Sequence, residues 1–204
     1  MQILTNTSSE SASQYWSSLK NGNPDALENL YKLYSNALYN YGSKFTADKD
    51  LIKECIQELF VGLWTRREFI SSPADVKNYL FKSFRLSVFK KAAFINKNEE
   101  YVETGDYPFS VSLSIEDDII SEEKNNALKK RLESTISTLT DRQREAIFLK
   151  FYENLSYEEI AEVMGISVKA TYKLMARSLS FLRDNLSKDD LLILLSLFYL
   201  KLFH

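Results

Sequence analysis

The chain has 204 residues, with 26 basic and 28 acidic side chains, and its net charge of −2 does not by itself predict a nucleic-acid-binding protein. Five glycines and three prolines are too few for a disordered chain or a loop-rich β protein, so the composition favours an all-α fold. One cysteine, Cys55, excludes an internal disulfide, and one histidine, His204, excludes most histidine-based catalysis and metal sites.

Four helices are predicted in the N-terminal half. The first covers about residues 11–20 and ends at Asn21-Gly22. Asn23-Pro24 places a cap residue before a proline at the first helical position, and apolar residues then recur at helical spacing as far as Phe45. A third helix is expected over about 48–67. Ser72-Pro73 repeats the cap-and-proline signal and predicts a fourth helix to about residue 94.

The C-terminal half is predicted to contain a linker followed by a helical domain. The stretch 99–114 has Gly105, Pro108, many acidic residues and no helical period, which indicates a linker. A polar helix is expected over about 119–136. Thr140 and Ser156 each begin a capping-box pattern, which predicts helices near 141–152 and 157–164.

Charged residues are segregated along the chain in a way that the net charge conceals. Residues 77–97 contain six basic and no acidic side chains, residues 98–123 contain nine acidic and no basic ones, and residues 169–183 contain four basic and no acidic ones. The sequence therefore predicts two cationic segments separated by an anionic one.

Residues 155–182 have the pattern of a helix-turn-helix. Gly165 stands at the corner, where a positive φ angle favours glycine, and Ser167 caps the second helix. We expect one face of that helix to pack inward: Val168, Thr171, Met175, Leu179 and Leu182. The opposite face is acid-free and is predicted to bind DNA in the major groove: Lys169, Tyr172, Lys173 and Arg177. A plain helical hairpin with a solvated basic face is the simpler alternative.

The sequence resembles the extracytoplasmic-function (ECF) sigma factors of the sigma-70 superfamily. The run TLTDRQREAIFLKFYENLSYEEIAEVMGISVKATYK is similar to region four of that family, and IQELFVGLW (residues 56–64) and NGNPDALENLY (residues 21–31) are similar to region two. The resemblance covers about residues 12–187. It implies a fold of two small helical domains: 1–97 as region two, 98–123 as an acidic linker, 124–187 as region four, and 188–204 as an apolar tail helix.

The resemblance also implies partners and a function. Region two of the family binds core RNA polymerase and the −10 promoter element, and region four reads the −35 element. Transferred to this chain, it implies a polymerase-binding face on the third helix: Glu54, Gln57, Glu58, Phe60 and Trp64. An anti-sigma factor is a further expected partner. The acidic linker would approach the path of the RNA, or it would be a solvated tether.

The fourth helix interleaves aromatic and basic side chains, which suits single-stranded DNA because bases stack on aromatic rings and cations follow phosphates. The residues predicted to contact the −10 element are Lys82, Arg85, Lys90 and Lys91. We expect at least half of the aromatic side chains there to belong to the core. By resemblance, the loop 69–74 would help to hold a flipped base of the −10 element.

Other functions remain as alternatives. A helix-turn-helix regulator that does not join the polymerase is the main one. An enzyme with a metal bound by Glu54 and Glu58 is a weaker one, and we expect no catalytic residues, metal, cofactor or small-molecule substrate. Cys55 is predicted to be a core residue rather than a redox-active one.

The two ends of the sequence bear on its location. The N-terminus lacks the pattern of a signal peptide, and the apolar run 191–203 is too short to cross a bilayer, so we expect a cytoplasmic protein without membrane insertion. As a helix this run would be apolar nearly all round. It would pack on its own domain, dimerise, or bind an anti-sigma partner, and we favour the first.

Overall fold

A computed structural model describes residues 3–95, 107–111 and 122–201 of the chain, with side chains from 10–91, 107–111 and 127–196. The fold is all-α, as predicted, since every regular element in the described ranges is a helix. The chain divides into two compact units, residues 1–104 and 105–204. None of the described helices is both long and apolar enough to cross a membrane.

The N-terminal unit contains four helices: α1 (Ile3–Lys20), α2 (Pro24–Gly42), α3 (Lys49–Thr65) and α4 (Val76–Ile95). The Asn23 side chain caps α2 by accepting a hydrogen bond from the Asp25 amide at 2.9 Å, and Asp48 caps α3. The predicted start of the fourth helix at Ser72-Pro73 is wrong by three residues. The reason is a better cap, because the Asp75 carboxylate accepts a hydrogen bond from the Asn78 amide at 2.8 Å.

The core of this unit forms where α2, α3 and α4 converge. Gly42 lies so close to the neighbouring helices that a Cβ atom built there would stand 2.8 Å from both Ile52 Cγ2 and Phe84 Cζ. Phe84 and Phe81 of α4 are fully buried, and the Phe81 ring lies 5.3 Å from that of Tyr41. Two of the aromatic side chains of α4 are therefore core residues, as expected.

Cys55 lies in the same core. The thiol is fully buried, and this burial raises its pKa above the ordinary value. A raised pKa leaves little reactive thiolate near neutral pH. Cys55 is therefore a packing residue, as the sequence indicated.

The C-terminal unit contains the described parts of five helices: α5 (Glu122–Ser137), α6 (Asp141–Phe151), α7 (Tyr157–Met164), α8 (Val168–Asn185) and α9 (Lys188–Lys201). Both predicted capping boxes are formed, at Thr140 with Gln143 and at Ser156 with Glu159. Gly165 has a φ angle of 66° and separates α7 from α8, so the helix-turn-helix corner is where the sequence placed it.

Two aromatic residues of the predicted linker are buried in this C-terminal unit. Tyr107 and Phe109 are 4% and 2% exposed. The Tyr107 hydroxyl hydrogen-bonds to the buried Glu145 carboxylate, and the Phe109 amide donates to Asp141 at 2.8 Å. The Arg144 guanidinium donates to the Phe109 carbonyl at 2.6 Å. The stretch 107–111 is thus anchored to α6, although its composition had suggested a tether throughout.

The apolar tail packs on its own unit. Helix α9 contacts α5, α6 and α8, and Leu194 is fully buried among them. Asp190 pairs with Arg131 of α5 at 3.1 Å, and the hydrogen bond from that guanidinium lowers the pKa of the Asp190 carboxyl. Leu192 is 65% exposed, so α9 leaves part of its apolar surface uncovered in the described structure.

The close approach at Gly42 makes a prediction about stability. Gly42→Ala should lower the free energy of unfolding by about 1–3 kcal/mol, because the added methyl group overpacks a closed core. Gly62→Ala is the matched control on α3, where a Cβ atom meets nothing within 4 Å. That substitution should stabilise the protein by roughly 0.5–1 kcal/mol, since alanine favours a helix interior.

Urea unfolding followed by tryptophan fluorescence measures both variants. The two tryptophans, Trp16 and Trp64, lie in the N-terminal unit and report on its unfolding. Equal effects of the two substitutions would contradict the packing described at Gly42.

Candidate nucleic-acid and protein interfaces

An open apolar groove of about 440 Å³ lies between α2 and α3 in the N-terminal unit. Its lining consists of Leu27, Tyr31, Lys53, Gln57, Phe60, Val61 and Trp64. The Tyr31 and Phe60 rings meet edge to face at 5.1 Å, and Tyr31 remains 47% exposed. Apolar surface of this kind, rimmed by Lys53 and Gln57, is typical of a protein-binding site.

Three of the five residues assigned to polymerase binding line this groove: Gln57, Phe60 and Trp64. Phe60 is only 4% exposed, so its ring belongs to the floor of the groove. Trp64 is half-buried and the guanidinium of Arg67 lies 4.5 Å from its ring centre. Sequence reasoning missed Leu27 and Tyr31, which belong to the apolar residues that recur at helical spacing along α2. Their partial exposure depends on how α3 lies against α2, which periodicity does not reveal.

The other two predicted residues, Glu54 and Glu58, pair with α4. They lie one turn apart on α3, and each carboxylate stands 2.9 Å from the Lys91 ammonium. Partial burial alone would lower the pKa of Lys91, but the hydrogen bonds and charges of the two carboxylates outweigh it and raise that pKa. Lys91 was predicted to contact DNA, and the structure instead places it beside the predicted polymerase-binding carboxylates.

The remaining basic residues predicted for the −10 element differ in exposure. Lys90 is exposed and Lys82 is half-buried. Arg85 is 2% exposed, and its guanidinium lies 4.2 Å from the centre of the Phe89 ring. Arg85 was predicted to contact the −10 element, and in this structure its side chain packs into the core of the unit rather than extending into solvent.

The loop between α3 and α4 presents an aromatic side chain to solvent. Phe69 is 87% exposed, and its amide donates to the Arg66 carbonyl at 2.8 Å. Two residues further along the loop, the Trp16 indole donates to the Ser71 carbonyl at 3.2 Å. The loop implied to hold a flipped base thus has an unpacked ring on a backbone fixed at two points.

The outer face of α8 is cationic and exposed. Lys169, Lys173 and Arg177 all extend into solvent, and Tyr172 is 51% exposed. On the opposite face Thr171, Met175 and Leu182 are buried, as predicted. Val168 is 39% exposed, so the prediction that it packs inward is wrong. It is the first residue of α8, where no helical turn precedes it to cover the side chain.

Tyr172 is held by a contact that the sequence did not reveal. Its ring meets that of Tyr157, the first residue of α7, edge to face at 4.5 Å. Lys150 of α6 donates to the Leu155 carbonyl at 3.0 Å and lies 5.3 Å from the Tyr157 ring centre. Three elements therefore position one exposed ring within the basic face. In the sequence, Tyr157 directly follows Ser156, the cap of α7. This position at the start of the helix is the one signal that could have indicated a contact between Tyr157 and α8.

The described side chains include no group of three or more His, Cys, Asp and Glu residues that could hold a metal ion. At Glu54 and Glu58, a lysine ammonium occupies the position between the carboxylates.

Comparison with known proteins shows which families the chain resembles. Residues 129–182, from α5 to α8, match the family described as sigma-70, region 4. The chain is 26% identical over 156 residues to the ECF RNA polymerase sigma factor SigM of Bacillus subtilis, covering 72% of this chain and 86% of that one. It is 25% identical over 174 residues to the RNA polymerase sigma factor YlaC of the same organism, covering 81% and 94% of the two chains.

Two solved structures share the fold. One is CnrH in complex with the cytosolic domain of CnrY, with a TM-score of 0.57 and 18% identity over 85% of this chain and 96% of that one. The other is the Bartonella quintana sigma factor RpoE in complex with the anti-sigma factor NepR, with a TM-score of 0.53 and 20% identity over 79% and 97% of the two chains. The sequence matches to the Bacillus proteins, at 156 and 174 residues, are longer than either compact unit and so include parts of both. The helix-turn-helix lies within the region-four match, and over most of its length the chain is similar to RNA polymerase sigma factors, one of them of the ECF type.

Proposed function

We propose that the two units divide the work of a sigma factor between an α2–α3 groove that docks core RNA polymerase and an α8 face that reads promoter DNA. The observation that carries the proposal is the placement of the exposed surfaces. The apolar groove lies in the N-terminal unit, and the basic face lies on the second helix of the helix-turn-helix in the other. If the chain were a helix-turn-helix regulator that does not join the polymerase, the groove would have no role.

The groove suits a helical protein partner. Its floor contains aromatic rings, and its rim provides the Gln57 amide and the Lys53 ammonium. Buried aromatic anchors with a polar rim are the usual composition of an interface that binds strongly. We therefore assign Gln57, Phe60 and Trp64 to direct docking of core polymerase, with Glu54 and Glu58 at the side of the groove that faces α4.

The outer face of α8 suits the major groove of the −35 element. Lys169, Lys173 and Arg177 provide hydrogen-bond donors for phosphates and for the acceptor edges of guanine. The ring of Tyr172 is suited to apolar contact with a thymine methyl group. Buried Thr171 and Met175 fix the opposite side of α8, so these four side chains extend in a constant direction.

The −10 element would be captured by the N-terminal unit. Lys90 and Lys82 on α4 are the accessible cations, and Phe69 is the exposed ring on which an unstacked base could lie. Arg85 is buried, and its guanidinium packs over the Phe89 ring next to this surface. Compared with the sequence prediction, these assignments leave out the buried Arg85 and specify Phe69 within the loop 69–74.

The domain boundaries follow the same proposal. Residues 1–97 act as region two and 124–187 as region four, with the acidic stretch 98–123 between them and the tail helix 188–204 after them. The contacts of Tyr107 and Phe109 with α6 support counting 107–111 with region four. An anti-sigma factor is a further proposed partner, because both similar solved structures are complexes with a second protein. We infer a cytoplasmic, non-enzymatic subunit without a cofactor.

Run-off transcription tests the function directly. Core polymerase lacking any sigma factor should produce promoter-specific transcripts only when this chain is added. The template library should carry varied upstream sequences so that the promoter need not be known beforehand. Promoter-specific binding without any transcript would instead identify a regulator that does not join the polymerase.

A substitution on α8 tests the DNA-binding face. Lys173→Ala in the polymerase-bound chain should weaken promoter binding, and it should reduce the slope of log K against log salt by about 0.9 if one duplex phosphate contact is lost. Fluorescence anisotropy over a salt series measures both effects. Lys130→Ala, an exposed lysine on α5, is the charge-matched control. An effect of Lys173→Ala no larger than the control would contradict the assignment.

A further inference from the structure

Lys91 connects the two functional surfaces of the N-terminal unit. It lies on α4, whose cationic side chains are assigned to DNA, and its ammonium stands 2.9 Å from both Glu54 and Glu58 on α3. Those carboxylates belong to the surface assigned to polymerase. The lysine is therefore occupied, in this structure, by the groups that a protein partner would engage.

We propose that Lys91 couples polymerase docking to DNA binding: the α3 carboxylates hold it in the free chain, and a partner's cations at Glu54 and Glu58 release it to bind a phosphate of promoter DNA. This inference rests on the proposed function, because it takes the α3 face as the polymerase-binding surface. It adds a dependence of one interface on the other, which neither surface implies alone.

The exposure of the three side chains permits such an exchange. The Glu54 and Glu58 side chains are 61% and 54% exposed, whereas that of Lys91 is 22% exposed. A partner can therefore reach both carboxylates from solvent without disturbing the core. Ion pairs at such exposed positions contribute little net stability, so an incoming arginine or lysine competes on nearly equal terms.

Release of Lys91 would place a second cation beside one that is already accessible. Lys90 precedes it on α4 and is exposed. While Lys91 is paired, the nearby carboxylates also repel phosphate, so the free chain loses a cation and retains two anions at this end of α4. Neutralising the carboxylates removes both disadvantages in one step.

The main competing interpretation is that Lys91 is only a structural link between α3 and α4. In that case its removal destabilises the N-terminal unit and has the same consequence for DNA binding whether polymerase is present or absent. Coupling predicts a consequence that depends on polymerase, and this difference separates the two interpretations.

The first experiment compares free chains by their binding to a single-stranded oligonucleotide that carries the −10 sequence found by run-off transcription. Glu54→Gln combined with Glu58→Gln should steepen the slope of log K against log salt by about 0.7, the value for one added contact with single-stranded DNA. The control combines Glu28→Gln with Asp50→Asn, which alters the net charge equally and frees Lys32 and Lys53 from their ion pairs. The control should leave the slope unchanged, and adding Lys91→Ala to the first variant should abolish its gain.

The second experiment uses Lys91→Ala with and without core polymerase. The salt slope of the free chain should remain unchanged, because Lys91 is already occupied, and the slope of the polymerase-bound chain should fall by about 0.7. Thermal unfolding of the variant shows whether α3 and α4 still pack. Equal slopes for the two double variants, or a Lys91→Ala effect independent of polymerase, would overturn the coupling. Either result could occur while run-off transcription remains active, so this failure is distinct from failure of the proposed function.

Discussion

The close approach of three helices at Gly42 is the constraint on which the N-terminal unit depends. Only a residue without a Cβ atom lets Ile52 of α3 and Phe84 of α4 come so near to the end of α2. This contact turns one face of α3 inward. The opposite face must then lie outward, where α2 and α3 leave the apolar groove open. The same packing brings the end of α4 beside α3, so that Lys91 reaches Glu54 and Glu58.

In the C-terminal unit, helix caps and a glycine turn determine which face of α8 is exposed. Capping boxes fix the starts of α6 and α7, and the positive φ angle of Gly165 sets the turn into α8. Burial of Thr171, Met175 and Leu182 then leaves the basic face of α8 outward. Arg144 adds a long-range link, because it donates to the Phe109 carbonyl 35 positions earlier in the chain. Local signals thus determine where α8 lies, and one side chain anchors the segment around Phe109 to α6.

The sequence predicted best where local interactions decide the structure. Helix α7 was predicted with its observed limits, since Ser156, Glu159 and Gly165 mark its two ends within a few residues. Helix α4 was harder to predict because Pro73 mimicked a helix start that Asp75 provides. The side chains of the basic segment could not be assigned from pattern alone. Periodicity gave no sign that Arg85 lies over Phe89 in the core or that Lys91 reaches across to α3. Both depend on contacts between elements, as does the burial of Tyr107 and Phe109.

The net charge of −2 conceals two different surfaces. One is the apolar groove between α2 and α3 in the N-terminal unit, and the other is the basic face of α8 in the C-terminal unit. The central claim is that one chain contacts polymerase through α3 and DNA through α8 in the same complex. Site-specific photocrosslinking in a transcribing complex tests it most directly, with a benzophenone side chain introduced at Gln57 in one variant and at Lys173 in another. We expect position 57 to crosslink to a polymerase subunit and position 173 to crosslink to DNA upstream of the transcription start. Crosslinking of position 57 to DNA, or of position 173 to no DNA, would contradict it.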